Sequence, residues 1–211
     1  MILRTLAAAA LALTLIGATH PANAIVTRHD TPDARYLADE HAFPPLADLP
    51  GEGHGVLIAP QWVLTVAHAV YDQRDSLDAI TIAGQSRAVA EVIVHPEFEP
   101  LPADAMSGDA APLMARLGEL RDIALIRLAE PVNDVAPVTL YRGANEAGRL
   151  VRIIGRGATA NGLTGEAPDT PHRGALRRAY NRIDIAEGRW LAYSFDQGRA
   201  AHRREGMQGS G

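Results

Sequence analysis

His68 closes the run Gly55-Val-Leu-Ile-Ala-Pro-Gln-Trp-Val-Leu-Thr-Val-Ala-His68, and Asp122 opens the apolar run Asp122–Leu128, 54 residues further along. An imidazole takes and returns a proton near neutral pH, and a carboxylate can hold its ring in one tautomer, so the pair suits general acid–base chemistry toward a hydroxyl nucleophile. Each residue also has a structural reading: a histidine packed in a core, and an aspartate at a strand end or turn. A carboxylate withdrawn from water is costly unless it is paired, and an imidazole N–H is one partner that would serve. Other chemistries find less support. The eight histidines show no His-Glu-x-x-His or comparable spacing, so no metal is expected. Gly155-Arg-Gly-Ala-Thr-Ala-Asn-Gly162 is only loosely like a dinucleotide fingerprint and precedes no helical pattern, so it reads as a loop and no cofactor is expected. With no cysteine, the chain has no disulfide, thiolate site or cysteine nucleophile.

Short apolar runs bounded by Gly, Pro or Asp must position these groups. They are Gly55–Ile58, Trp62–Val66, Ala79–Ala83, Arg87–Val94 and Asp122–Leu128, with Leu46–Leu49 before them and Arg149–Ile154, Leu176–Ile183 and Trp190–Phe195 after them. Their lengths suit strands, and in Asp122–Leu128 the residues Ala124, Ile126 and Leu128 share one face. An all-β barrel or sandwich is the class they predict. Glu97–Leu120 reads as a long surface insertion, and residues 134–147 as a linker between two strand groups. Arg173, Arg177, Arg178 and Arg182 alternate with nearby Asp and Glu and read as a solvated face.

The beginning of the chain differs from the rest. Arg4, the apolar run Leu6–Gly17 and the small-x-small sequence Ala22-Asn23-Ala24 follow the order of a secretory signal segment, too short to span a bilayer. Residues 1–24 are therefore expected to be removed on export, leaving Ile25 first in a secreted or periplasmic protein. The alternative is a core helix. Composition is that of an ordinary soluble domain, 47% apolar and 21% charged, and a net charge of −5 argues against a protein that coats nucleic acid.

Two stretches carry a resemblance. The run ending at His68 is similar to the Leu-Ile-x-x-x-Trp-Val-Leu-Thr-Ala-Ala-His signature of trypsin-like serine proteases, matching at Leu57, Ile58, Trp62, Val63, Leu64, Thr65, Ala67 and His68. Arg121-Asp-Ile-Ala-Leu-Ile-Arg-Leu128 resembles that family's Asn-Asp-Ile-Ala-Leu-Ile-x-Leu strand. His95-Pro96 with Phe98, Gly155-Arg-Gly157 and Leu176-Arg-Arg-Ala179 agree in position only. Ala69 stands where the family usually has a cysteine, so packing must hold that loop in place of a disulfide. The resemblance implies an all-β, two-barrel fold: residues 25–133 form the first barrel, with His68 and Asp122 as base and orienting acid of a catalytic triad, and residues 148–211 form part of a second barrel.

The family's nucleophile sits in Gly-Asp-Ser-Gly-Gly-Pro, a string these 211 residues do not contain. Glu205-Gly-Met-Gln-Gly-Ser-Gly211 resembles the approach to it, which makes Gly211 an oxyanion-hole residue and Met207 the floor of the specificity pocket, favouring apolar or small residues before the scissile bond. A rival alignment makes Ser210 the nucleophile. The expectation is thus a fragment of an exported, bacterial-type serine endopeptidase: a monomer acting on polypeptides, away from nucleic acid and, once the signal is removed, from the membrane. Ile25 is expected to supply an activating N-terminus. The alternative is a non-catalytic, protease-like binding module.

Overall fold

The computed structural model describes residues 23–51, 53–102, 116–161, 165–166, 174–196 and 206–208. Strand β1 (Asn23–Thr27) comes first, followed by β2 (Leu46–Asp48), β3 (His54–Ala59), β4 (Trp62–Thr65), β5 (Ala79–Ile82), β6 (Gln85–Val94) and β7 (Ala124–Leu128). Strands β2 to β7 close into a six-stranded antiparallel barrel in the order β2-β3-β4-β7-β6-β5. The period-2 pattern explains the closure, because alternate residues point inward. Leu57, Val63, Ile82, Ile126 and Leu128 are fully buried and form the core with Ala47, Leu49 and Ile80. These six strands are the six runs expected from the sequence.

Two glycines tighten the barrel. A Cβ on Gly55 would lie 2.5 Å from Val63 Cγ1 and 3.1 Å from the Leu64 carbonyl oxygen, so only a bare backbone lets β3 sit this close to β4. The β5–β6 connection is a two-residue turn, Ala83–Gly84, with φ of 51° and 76°, the left-handed pair that matches the twist of a hairpin.

The chain continues through β8 (Leu150–Gly155), β9 (Ala158–Asn161), β10 (Gly165–Glu166), β11 (Arg177–Arg182), β12 (Ile185–Glu187), β13 (Trp190–Ala192) and β14 (Gly206–Gln208). They make three open sheets among the described residues: β10-β9-β1-β14, the antiparallel pair β8–β11, and the hairpin β12–β13. Among the described residues, these sheets do not close into a second barrel. Trp190–Phe195 shortens to three residues because the chain folds back on Ile185–Glu187 in a hairpin, with Gly188 at φ 59° in the turn. Strand β1 joins this second group, in parallel with β9 and antiparallel to β14, although it precedes the first barrel in sequence. Behind it Tyr36 is fully buried against Ala179 and Ile153, and Ala38 N–H donates to the Leu176 carbonyl at 2.8 Å. Residues 134–147 carry no regular element.

Asp122 does not open its strand. The Ile123 N–H bonds the Arg121 carbonyl at 2.8 Å, a tight turn that keeps residues 121–123 out of the ladder, and pairing starts at Ala124. Of the expected insertion Glu97–Leu120, residues 116–119 form one helical turn and residues 103–115 lie outside the described residues. Residues 1–22, Ser210 and Gly211 lie outside them too.

Candidate active site

The site is set by one pair of strands. β4 ends at Thr65 opposite Ala124, the first residue of β7, and the two run antiparallel. The chain leaving β4 and the chain entering β7 therefore meet at the same end of the barrel, with His68 on one and Asp122 on the other. Thr65 is buried, and its hydroxyl donates to the His54 carbonyl at 2.9 Å, fixing the end of β4. Beyond it Ala67, Ala69 and Val70 are buried, and the N–H groups of Val70 and Tyr71 bond the Ala67 carbonyl at 3.0 and 2.8 Å. Buried on either side, the loop holds His68 at the surface with 44% of its side chain exposed.

Asp122 grips His68 with both oxygens. His68 Nδ1 lies 2.6 Å from Asp122 Oδ2, and the His68 backbone N–H donates to Oδ1 at 2.8 Å. Burial alone would push the Asp122 carboxyl up. The bonds from the His68 ring and backbone, the attraction of the ring's charge and the Ala67 N–H outweigh it and hold the carboxyl below its ordinary value. With Nδ1 committed to a carboxylate, the ring keeps Nε2 as the nitrogen that can accept a proton from an approaching hydroxyl and later return it.

Neighbouring residues hold this arrangement. Ala69, in place of the family's cysteine, is packed closely enough that a Cβ on Gly53 would lie 3.2 Å from its own Cβ. Phe98 is buried with its ring 5.3 Å from that of Tyr71, and the His95 N–H bonds the Ile123 carbonyl at 3.0 Å. The His95–Phe98 segment thus ties the loop after His68 to the turn carrying Asp122. From sequence this segment agrees with the family in position alone, and its His-Pro-x-aromatic spacing is the signal it carries.

The remaining expected residues lie elsewhere. Ile25 sits in β1, in register with Thr159 and Gln208, and Val26 pairs with Met207 of β14. Ile25 and Met207 are thereby on adjacent strands of the second group. Arg156, in the Gly155-Arg-Gly157 segment, bonds Glu40 and lies 3.7 Å from Asp48 of β2, linking the two strand groups beside a cavity of about 120 Å³ that Phe43, Pro44 and Leu46 also line. No cluster of three or more His, Asp or Glu able to hold a metal exists among the described residues.

The trypsin family model matches residues 36–187, well over half of the chain. Among solved structures, the chain is similar to neuropsin, a serine protease expressed in the limbic system of mouse brain, with a TM-score of 0.50 and 23% identity. That match covers 71% of this chain and 64% of the neuropsin chain, so the protein spans less than two thirds of its relative, and at this identity the likeness speaks for the fold. Family match, closed barrel and fold likeness agree: the chain belongs to the trypsin-like serine protease family.

Proposed function

We propose that His68 and Asp122 are the base and orienting acid of a serine endopeptidase site. The observation that carries this reading is the two-point contact of 2.6 and 2.8 Å between them, at the end of a barrel in a chain of this family. In the proposed reaction His68 Nε2 takes the proton of a serine hydroxyl as that oxygen attacks the peptide carbonyl. It then returns the proton to the departing amine, while Asp122 holds the tautomer and stabilises the imidazolium. The serine is one that these 211 residues do not supply in its Gly-Asp-Ser-Gly-Gly-Pro setting. Met207 as pocket floor and Gly211 as oxyanion donor belong to the same proposal. Met207 brings no carboxylate for Lys or Arg, so the favoured residue before the scissile bond is apolar or small.

Export completes the reading. Cleavage after Ala24 would free the amine of Ile25 within β1, whose pairing with β9 and β14 supports a role for that strand in setting the pocket strand β14. Labelling with a fluorophosphonate tests the proposal. The 211-residue chain should take up no label and hydrolyse no peptide. A chain continued in frame through Asp-Ser-Gly-Gly should take up one equivalent at that serine, and His68→Ala should abolish it. Labelling of Ser210, or none in the continued chain, would contradict the assignment.

A further inference from the structure

The net charge of −5 hides an opposition. Residues 1–141 hold 8 arginines against 18 acidic residues, net −10, whereas residues 142–211 hold 12 against 7, net +5. Every cation is an arginine; the chain has no lysine. Several described arginines are neutralised, as Arg87 is by Asp134 at 2.7 Å and Arg177 by Asp33 at 2.9 Å.

One face of the β8–β11 pair is different. In its register Arg152 stands opposite Tyr180, and Arg182 opposite Leu150, while Arg178 faces Ile154. Residues two apart share a face, so Arg152, Arg178 and Arg182 project on the same side, with Arg178 and Arg182 as the diagonal neighbours of Arg152. Their contacts are neutral: Arg152 lies 5.9 Å over the Phe43 ring, and Arg182 donates to the Gly148 carbonyl. The Nε of Arg178 is buried with no hydrogen-bond acceptor among the described residues. On the same side Leu150, opposite Arg182, is 49% exposed. The face therefore combines charge that has no carboxylate partner among the described residues with uncovered apolar surface.

We infer that this face binds an acidic segment of a polypeptide, one in which carboxylates alternate with apolar side chains. Guanidinium forks match carboxylates two bonds at a time, which favours arginine over lysine at such a surface. The exposed Leu150 calls for an apolar partner, which a sulfated polysaccharide does not offer and a polypeptide does. Naming the polypeptide as a substrate rests on the endopeptidase reading above, and the face would then select substrates by sequence remote from the scissile bond.

Binding of a labelled peptide of repeated Glu-Glu-Leu units to the full 211-residue chain, followed by fluorescence anisotropy, tests this apart from any hydrolysis. Arg152→Gln with Arg182→Gln should weaken binding about tenfold, a Gln-Gln-Leu peptide should bind as weakly, and raising salt to about 0.3 M should loosen the wild-type complex. Arg74→Gln, on the first barrel, should change nothing. If the double variant fails to fold by circular dichroism, Arg182→Gln alone should still weaken binding several-fold. Equal affinity for the Gln peptide, indifference to the substitutions, or tighter binding to dextran sulfate or phosphatidylglycerol vesicles would overturn the inference. Peptide binding by a continued chain that takes up no fluorophosphonate label would retire the endopeptidase reading and leave the face standing.

Discussion

The two strand groups solve the same problem unequally. In the first, each of six strands has two neighbours, and Leu57, Val63, Ile82, Ile126 and Leu128 meet in one closed core. In the second, among the described residues, the sheets stay open, and Leu150, Ile185, Trp190 and Leu191 are each about half exposed. The contrast teaches where the candidate site gets its rigidity. His68 and Asp122 both hang from neighbouring strands of the closed barrel, whereas the candidate pocket strand β14 is held by strands of the open group, pairing with β1 and taking a hydrogen bond on its Gly206 carbonyl from Asn181 of β11 at 3.2 Å.

The largest effect expected is in the barrel core. Ile126→Ala should destabilise the protein by about 2–5 kcal/mol through lost burial and the cavity left behind, whereas Trp190→Ala on the exposed hairpin should cost less than about 0.5 kcal/mol. Urea unfolding of the two variants measures the difference, and similar costs would break the comparison. Next comes Gly55→Ala, whose methyl would press on Val63 and on backbone; a cost of about 1–3 kcal/mol is expected by the same measurement.

A smaller effect separates the ties between the groups. Tyr36 is fully buried, and its hydroxyl accepts the Arg28 N–H at 3.1 Å, so Tyr36→Phe should cost about 1 kcal/mol. Hydrogen exchange should locate the loss in β1 and β9 and spare the barrel; faster exchange in β3 and β7 instead would show that the groups open together.

The pH dependence of Asp122 sharpens the picture at the site. Because its folded value is depressed, its contribution to stability is present above the unfolded carboxylate value of about 3.9 and is lost as pH falls through the lower folded value. The stability gap between wild type and Asp122→Asn should therefore be constant near neutrality and close in acid. A gap unchanged by acid would mean that the carboxylate is not held by His68.

Much of the barrel was legible because its strands alternate cleanly and are punctuated by turns: the runs Trp62–Val66 and Asp122–Leu128 announce their faces, and the strands Trp62–Thr65 and Ala124–Leu128 are one and two residues shorter. Asp122 was legible as a residue but not as a conformation, since the turn at Arg121–Ile123 depends on its bond to His68, 54 residues away. The second group was harder to read. Asn23–Thr27 and Gly206–Gln208 are short and become strands by pairing with distant segments, the first with both β9 and β14 and the second with β1, long-range contacts that no local pattern encodes. The arginines of β11 looked like a solvated face. Register, and the lack of a carboxylate partner among the described residues, both visible only in three dimensions, set Arg178 and Arg182 apart from Arg177.

The roles of His68 and Asp122 are read most directly from the His68 ring by nitrogen-15 NMR of that imidazole in the 211-residue chain at about pH 8, where a histidine is ordinarily neutral. Nδ1 should carry the proton and Nε2 should be bare, and Asp122→Asn should shift the proton toward Nε2. A wild-type ring protonated at Nε2, or one whose nitrogen shifts ignore the Asp122 substitution, would contradict the assignment of His68 and Asp122 as a base and its orienting acid.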